Sequence, residues 1–363
     1  MNEQKPKQTR VTRNHKKHPF LKGFLGVVLV IVLGVAAYCG YLWFRTTTAA
    51  DEVYDKQNKV TQGRFDGKKS FSSLLMGTDT GAFGRKEARG NSDTMIIATV
   101  NPKEKKFSLM SVPRDTMAQM IGVKTFSVHK INAAYNIGGA KMAMATTSAL
   151  LDVPLKYYIV LNMGGLRKLV NGIGGVTVTP PLTFTYDGHH FTKGKKVHLD
   201  GDAALAYSRM RYDDPKGDYG RQLRQRQVIM NVIEQAASLK TLSNLESILD
   251  TLEKNVRTNL TFNSMLAIAQ NYRGSLKNQD SDYLHGTGAM IGDASYQVMS
   301  DAELSRTSAI VRQQLGLDAV TLNNNETYQN SKNRQFNWKS QDPNQVYYVY
   351  DKKTGELWNG DHY

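Results

Sequence analysis

The 363-residue chain has a single cysteine, Cys39, so no disulfide can form within it, and a cysteine-rich metal site is excluded as well. Acidic residues are also scarce: 32 Asp and Glu stand against 47 Lys and Arg, leaving a formal charge of +15. That excess points to an anionic partner, whether nucleic acid, phospholipid or a phosphate-bearing substrate, without choosing among them. With only 9 Pro and 30 Gly, and 40% hydrophobic residues, the chain is neither collagen-like nor wholly disordered, and it has core enough for one or two domains. No internal repeat is present.

Only one long apolar run occurs. Residues 1–22 are polar and basic, with seven Lys or Arg and Glu3 as the sole acid, and read as a cytoplasmic tail. Residues 23–44, from Gly23 to Phe44, are uninterruptedly apolar. At about 1.5 Å per residue they span roughly 33 Å, matched to a hydrocarbon core of about 30 Å. Tyr38, Tyr41 and Trp43 sit at the outer end as interfacial anchors. A cleaved signal peptide is the rival, but its apolar region is usually shorter, and the small residues Thr48-Ala49-Ala50 fall beyond the run; an uncleaved transmembrane anchor is the better reading. The basic flank holds the N-terminus inside and sends everything after Arg45 outside, which makes a single-pass protein of the cell membrane with an extracellular domain. With the tail removed the remainder still carries +9, and it holds no thiol outside the span, as suits an exported protein.

Beyond the span, 45–70 reads as an extracellular stalk, 71–320 as the folded domain and 321–363 as a polar, loosely ordered tail in which Val346 to Asp351 (VYYVYD) could form a strand. Strands are expected at FSSLLMG, at TMIIATV (94–100), at FSLMSV (107–112), at 157–161 and at 176–179, and helices at 139–151 and 164–171. That alternation argues for a layered α/β domain. From Asp200 onward the pattern is mostly helical, with further helices at 242–256 and 261–274.

Four stretches combine charge with Gly or Pro at predicted element ends, where α/β sheets place ligands. They are Gly77-Thr78-Asp79; Asn91-Ser92-Asp93-Thr94; Val112-Pro113-Arg114-Asp115-Thr116 with Lys130-Ile131-Asn132 soon after; and Ser208-Arg209-Met210-Arg211 leading to Asp218-Tyr219-Gly220-Arg221 and Gln225. A helix starting near Asp218 puts Asp218, Arg221 and Gln225 on one face, which turns apolar at Ile229 and Val232. Arg114, Lys130, Arg209, Arg211 and Arg221 could together neutralise a pyrophosphate diester. Asp79 and Asp93 beside a phosphate imply a bridging cation, because carboxylates plus phosphate oxygens are the usual Mg²⁺ environment. Taken singly, each residue also has a plainer role: Asp79 and Asp93 as turn or cap residues, Asp218 as an N-cap, and the arginines as surface charges. His189 and His190 read as a surface turn rather than a metal pair.

The ordered series GTD, SDT, SVPRDT, KINAAYNIGG, NGIGGVTV, LDGDAALAYSRMR and GDYGRQLRQRQ, over about residues 70–240, resembles the LytR–CpsA–Psr family. The resemblance implies a three-layer α-β-α sandwich with a mixed central sheet and a hydrophobic pocket for a polyprenyl chain. It implies a membrane-anchored phosphotransferase of a Gram-positive bacterium that moves an anionic glycopolymer, such as teichoic acid or capsule, from a polyprenyl pyrophosphate carrier to peptidoglycan. It further implies Mg²⁺, with Mn²⁺ as the alternative, at Asp79 and Asp93. Pyrophosphate contacts fall to Arg114, Arg209, Arg211 and Arg221, with Lys130 and Gln225 close by. A carboxylate takes the acceptor proton, Asp218 ahead of Asp93. The family usually has Arg where Asn91 stands; Arg85 or Arg89 from the same loop could substitute. Two rivals are a pyrophosphatase or non-catalytic lipid-glycan binder, and a transcriptional attenuator. The short basic tail lacks a helix-turn-helix, so no nucleic-acid partner is expected.

Overall fold

The β-branched run TMIIATV becomes the middle of β2 (Ser92–Asn101) in the computed structural model, which describes residues 54, 55, 58–80, 90–236, 248, 251, 252, 255–358 and 360. Strands β1 (Phe71–Thr78) and β3 (Lys106–Ser111) flank it, both antiparallel to it. β6 (Tyr157–Asn162) runs parallel to β1, β11 (Val256–Thr258) antiparallel to β6, and β12 (Asn278–Tyr283) parallel to β3. The result is a mixed six-stranded sheet in the order β11-β6-β1-β2-β3-β12.

Side chains alternate across this sheet. Leu74, Met76, Met95, Ile97 and Met110 face one side, where α1 (Ala133–Leu151) and α6 (Asp301–Leu315) cover them. Leu75, Ile96, Ala98, Phe107 and Leu109 face the other, against α4 (Gly217–Ala236) and α5 (Phe262–Asn271). Each fully buried Leu, Ile, Phe or Met contributes about 1.5–3 kcal/mol. A third apolar cluster joins α2 (Met163–Gly172) and α3 (Gly201–Arg209) to two short antiparallel pairs: β7 (Val176–Val178) with β10 (Val197–Leu199), and, between them in the chain, the hairpin of β8 (Phe184–Tyr186) with β9 (His189–Phe191). Side-chain caps start these helices: Asn162 Oδ1 accepts from Gly165 N at 2.8 Å and Asp200 Oδ1 from Ala203 N at 2.9 Å.

The expected anchor at 23–44, its basic flank and the loop with Arg85 and Arg89 lie outside the described residues. Among the described residues no helix is long and apolar enough to cross a membrane. Part of the segment read as a stalk is built into the domain: Phe65 is buried and meets Phe71 edge-on at 5.1 Å. The region after Asp200 is less helical than its pattern implies. β12 (sequence NQDSDY) is an exposed polar edge strand, formed by backbone pairing with β3 and without apolar alternation. The hairpin of β13 (Thr287–Ile291) and β14 (Ala294–Val298) follows it.

The segment after Leu322 is not loosely ordered. It forms α7 (Asn325–Lys332) and buries Phe336, Tyr347 and Val349 against that hairpin and against Met117 and Val128, which belong to the hairpin of β4 (Met117–Gln119) with β5 (Val128–Lys130). Its polar composition conceals a few aromatic residues that carry the packing. VYYVYD makes isolated bridges, Met290 with Val346 and Tyr350 with Leu357, rather than a strand.

One buried cation braces α4 against the end of α3. Arg224 of α4 is 0% exposed. Its Nε donates to Tyr207 O at 3.1 Å, and its terminal nitrogens reach Met210 O and the Asp214 carboxylate. The Phe184 ring lies 5.2 Å from the guanidinium. Gly220 makes this approach feasible, since a Cβ there would fall 1.9 Å from Asp214 Oδ2. Replacing one partner of such a pair strands a buried charge at a cost of about 3–5 kcal/mol. Asp214→Ala should therefore lower the thermal midpoint by on the order of 10 °C. A midpoint within about 2 °C of the parent protein in a calorimetric scan would refute the brace.

Candidate functional site

The C-terminal ends of β1, β3 and β6 and the N-terminal end of β2 share one edge of the sheet. A cavity of about 510 Å³ opens there. Its lining has a polar end and an apolar end. The polar end holds Asp79 after β1, Asp93 at the start of β2, Arg114 after β3, Arg209 and Arg211 at and beyond the end of α3, and Arg221 and Gln225 on α4. Going back along β1 and β6, the lining becomes Leu75, Ile159 and Leu161, and going forward along α4 it becomes Ile229, Val232 and Ile233. Leu166 and Leu169 of α2, one helical turn apart, and Leu205 of α3 complete the apolar end.

The polar end is an ion-pair network with more donors than acceptors. Arg114 Nη1 lies 3.0 Å from Asp93 Oδ2, and Asn132 Nδ2 donates to Asp93 Oδ1 at 3.2 Å. Asp115 stands between Arg114 Nε at 3.6 Å and Lys130 Nζ at 3.1 Å. Arg221 Nη2 is 2.7 Å from Asp218 Oδ1, Arg211 Nε is 3.9 Å from the same oxygen, and Gln222 Nε2 donates to Asp218 Oδ2 at 2.8 Å. Four guanidinium groups and two carboxylates line the cavity, a surplus of two positive charges. Burial pulls the Arg221 pKa below its ordinary value, with Asp218 opposing and Arg114 reinforcing the shift. Burial acts in the same sense on Arg114, but Asp93, Asp115 and Asp218 outweigh it and raise its pKa. The buried Nε atoms of both arginines have no hydrogen-bond partner among the described residues. An anion bound here would meet fixed, partly desolvated guanidinium forks, whose interactions are stronger than in water.

Of the residues expected at the site, Asp79, Asp93, Arg114, Arg209, Arg211, Arg221 and Gln225 line the cavity. Lys130 and Asp218 do not. Lys130 is held by Asp115, and its Nζ stands 5.8 Å from the Tyr296 ring. Asp218 shares a helix face with Arg221, as their i,i+3 pair shows, but it stands outside the lining, tied to two arginines that belong to it. The reading of Arg221 as a surface charge fails, since it is 9% exposed. Asn91 is exposed and outside the lining. His189 and His190 sit on the β8–β9 hairpin, with His190 Nδ1 2.9 Å from Thr185 Oγ1. No group of three or more His, Cys, Asp or Glu that could hold a metal occurs among the described residues. Asp79 and Asp93 together supply a two-carboxylate donor set, which fits a divalent cation that takes its other ligands from phosphate oxygens and water. Gly90 keeps room there, since a Cβ would come within 2.8 Å of Asp79 Oδ1. Sequence reasoning missed Asn132, although it stands in a quoted motif, and the leucines of α2, which read as ordinary core.

Comparison with known proteins gives a consistent picture. The LytR_cpsA_psr family model matches residues 38–313. An Enterococcus faecalis protein named polyisoprenyl-teichoic acid–peptidoglycan teichoic acid transferase TagU is 42% identical over 292 residues, covering 80% of this chain and 95% of its own. A crystal structure from Enterococcus faecalis, titled a transcriptional regulator, is 37% identical with a TM-score of 0.66, covering 77% of this chain and 100% of its own. A structure titled TagT bound to LIIa-WTA is 28% identical with a TM-score of 0.58, covering 72% and 96%.

The charge surplus makes a prediction independent of any reaction. Inorganic pyrophosphate should raise the thermal midpoint, and the gain should shrink as salt is added. Arg221→Gln should remove most of that gain. An equal gain in the variant would mean that the anion binds elsewhere.

Proposed function

The chain belongs to the LytR_cpsA_psr family, and on that premise we propose that it is a transferase that moves an anionic wall glycopolymer from a polyprenyl pyrophosphate carrier to peptidoglycan, forming a phosphodiester. One observation carries this reading: a single cavity joins a cluster of guanidinium groups to an apolar channel. An amphipathic donor has that form, a pyrophosphate with a long isoprenoid chain behind it. Helices on both faces of the mixed sheet are in keeping with a three-layer α-β-α sandwich, and we take the apolar end as the polyprenyl pocket. The run at 23–44 would anchor the enzyme where such carriers reside, with the catalytic domain outside the cell.

In this mechanism Arg114, Arg209, Arg211 and Arg221 hold the pyrophosphate, and Gln225 lies beside them on α4. The arginines stabilise charge as it passes to the leaving polyprenyl phosphate. A hydroxyl of the peptidoglycan glycan attacks the phosphorus nearer the glycopolymer. Its new O–P bond replaces the bond to the polyprenyl phosphate, and its proton goes to Asp218. We assign that proton to Asp218 rather than Asp93 because Asp93 lies inside the cavity, where it would hold the metal, whereas Asp218 stands at its border. Asp79 and Asp93 would hold Mg²⁺, or Mn²⁺, which would supply charge neutralisation at the phosphates. Lys130, one pair removed through Asp115, orients Arg114 instead of touching the donor.

The test is transfer by the full chain, in detergent, from polyprenyl-pyrophosphate-linked teichoic acid to a peptidoglycan oligomer, with and without chelator. Arg114→Ala should slow product formation by about 10²–10³, the usual loss when one such donor is removed. Chelation should abolish the reaction, and added Mg²⁺ should restore it. Retention of transfer to within a few-fold in the variant would remove Arg114 from the mechanism. Donor hydrolysis with no polymer attached to peptidoglycan would favour the pyrophosphatase reading.

A further inference from the structure

The donor cavity accounts for one substrate, and three adjoining rings mark a place for the other. We infer that Tyr219, Tyr283 and His285 form the platform on which a sugar of the acceptor peptidoglycan glycan stacks; this assignment rests on the transferase reading above.

Position is the first argument. β12 is the next strand after β3 in the sheet and parallel to it, so its C-terminal end lies on the same edge as the cavity. Tyr283, the last residue of β12, is in register with Ser111, the last residue of β3 and three positions before Arg114. Moving across the edge, the cavity occupies the β6 and β1 side, Asp93 and Arg114 follow, and the rings stand on the β12 side. None of the three rings lines the cavity. Asp218 adjoins both regions: its carboxylate pairs with Arg221 and Arg211 of the lining, and its chain neighbour is Tyr219.

Preorganisation is the second. The Tyr219 and Tyr283 centroids are 4.8 Å apart, and those of Tyr283 and His285 are 4.0 Å apart with planes 21° from parallel. The two tyrosine rings are fixed from behind, and the backbone that carries His285 is held. The Tyr219 hydroxyl donates to Gln297 Oε1 at 3.1 Å and accepts from Gly286 N at 3.0 Å. The Tyr283 ring lies 5.5 Å from the Arg226 guanidinium, whose Nη1 donates to Ser111 Oγ at 2.8 Å. His285 N donates to Glu303 Oε1 at 2.8 Å. A rigid aromatic surface binds with little ordering cost.

Chemistry is the third. The His285 side chain is 52% exposed, so the stack ends in an open ring rather than in core. The C–H face of a pyranose is apolar and faintly positive, which complements the negative face of an aromatic ring. Asp282 and Arg306, each about one-third exposed and paired with one another, provide a charged rim at which hydroxyl, acetamido and carboxylate groups of the glycan find partners. A sugar stacked on the open face of His285 would offer a hydroxyl toward Asp218 from outside the donor cavity, as the transfer requires.

The test needs no turnover. The full chain in detergent is titrated calorimetrically with an uncross-linked GlcNAc–MurNAc tetrasaccharide. His285→Ala should weaken binding by about tenfold, the loss of one aromatic contact, and His285→Trp should restore it. Stabilisation by inorganic pyrophosphate should be unchanged in both variants, which separates a lost platform from a damaged fold. In the transfer assay the acceptor KM should rise while the donor KM holds. Unchanged glycan affinity in His285→Ala, or no binding by the parent protein at about 10 mM glycan, would overturn the assignment. Absence of product with intact glycan binding would instead count against the transferase reading, so the two failures are distinguishable.

Discussion

The buried guanidinium of Arg224 is the constraint on which the site depends. A fully buried cation needs its charge and its donors satisfied. Arg224 meets that demand with Asp214 and with two carbonyls, Tyr207 O at the end of α3 and Met210 O in the loop beyond. Those partners lie one to five residues from Arg209 and Arg211, and Arg224 itself is one helical turn from Arg221. A single interaction therefore fixes three cations that would repel one another if they were free to choose. The cost of crowding them is offset by the brace beneath and by Asp218 beside them. The fold thus holds a surplus of charge ready in the absence of the anion, and electrostatic catalysis of phosphoryl transfer depends on such preorganisation.

The mixed sheet supplies the other half of the arrangement. β2 runs against β1 and β3, so the start of one strand and the ends of its neighbours deliver Asp93, Asp79 and Arg114 to one edge. β6 and the capped start of α2 close the apolar side, and α4 runs from that edge over the sheet. The first turns of α4 carry Arg221 and Gln225, and its later turns carry Ile229, Val232 and Ile233. One helix therefore presents both a charged and an apolar surface to the cavity. The polarity gradient along it is a property of sequence order, fixed before any tertiary contact forms.

Much of this was legible before the structure. Asp79, Asp93 and Arg114, which line the cavity, stand in short polar motifs at strand ends, and turn chemistry and strand patterning are local properties. The α4 face was visible from helical spacing alone. What escaped was non-local. The difference between Asp218, outside the cavity, and Arg221, inside it, depends on where the loop after α3 passes, and no spacing rule encodes that. Leu166 and Leu169 read as core because a cavity wall and a packed interior use the same residue types. β12 carries no alternation, since pairing with β3 rather than burial makes it a strand. The segment after Leu322 misled through its average composition: three buried side chains, Phe336, Tyr347 and Val349, outweigh a polar majority.

The position of β12 gives that unpatterned strand a consequence. Were the sheet to end at β3, Arg114 would stand at its rim and the polar end of the cavity would open directly to solvent on that side. One further parallel strand adds a shoulder beyond Arg114, and its last residue carries the ring that begins the shoulder's outer surface. Water is the ever-present competitor of a sugar hydroxyl for an activated phosphorus. A transferase must therefore make the acceptor's arrival more probable than water's at the same point. On the proposed platform, fixed rings beside the carboxylate would raise the local concentration of sugar without raising that of water. This is the positional advantage by which bound reactants outcompete solvent. The strand with the least to recommend it in sequence would then bear on the choice between transfer and hydrolysis.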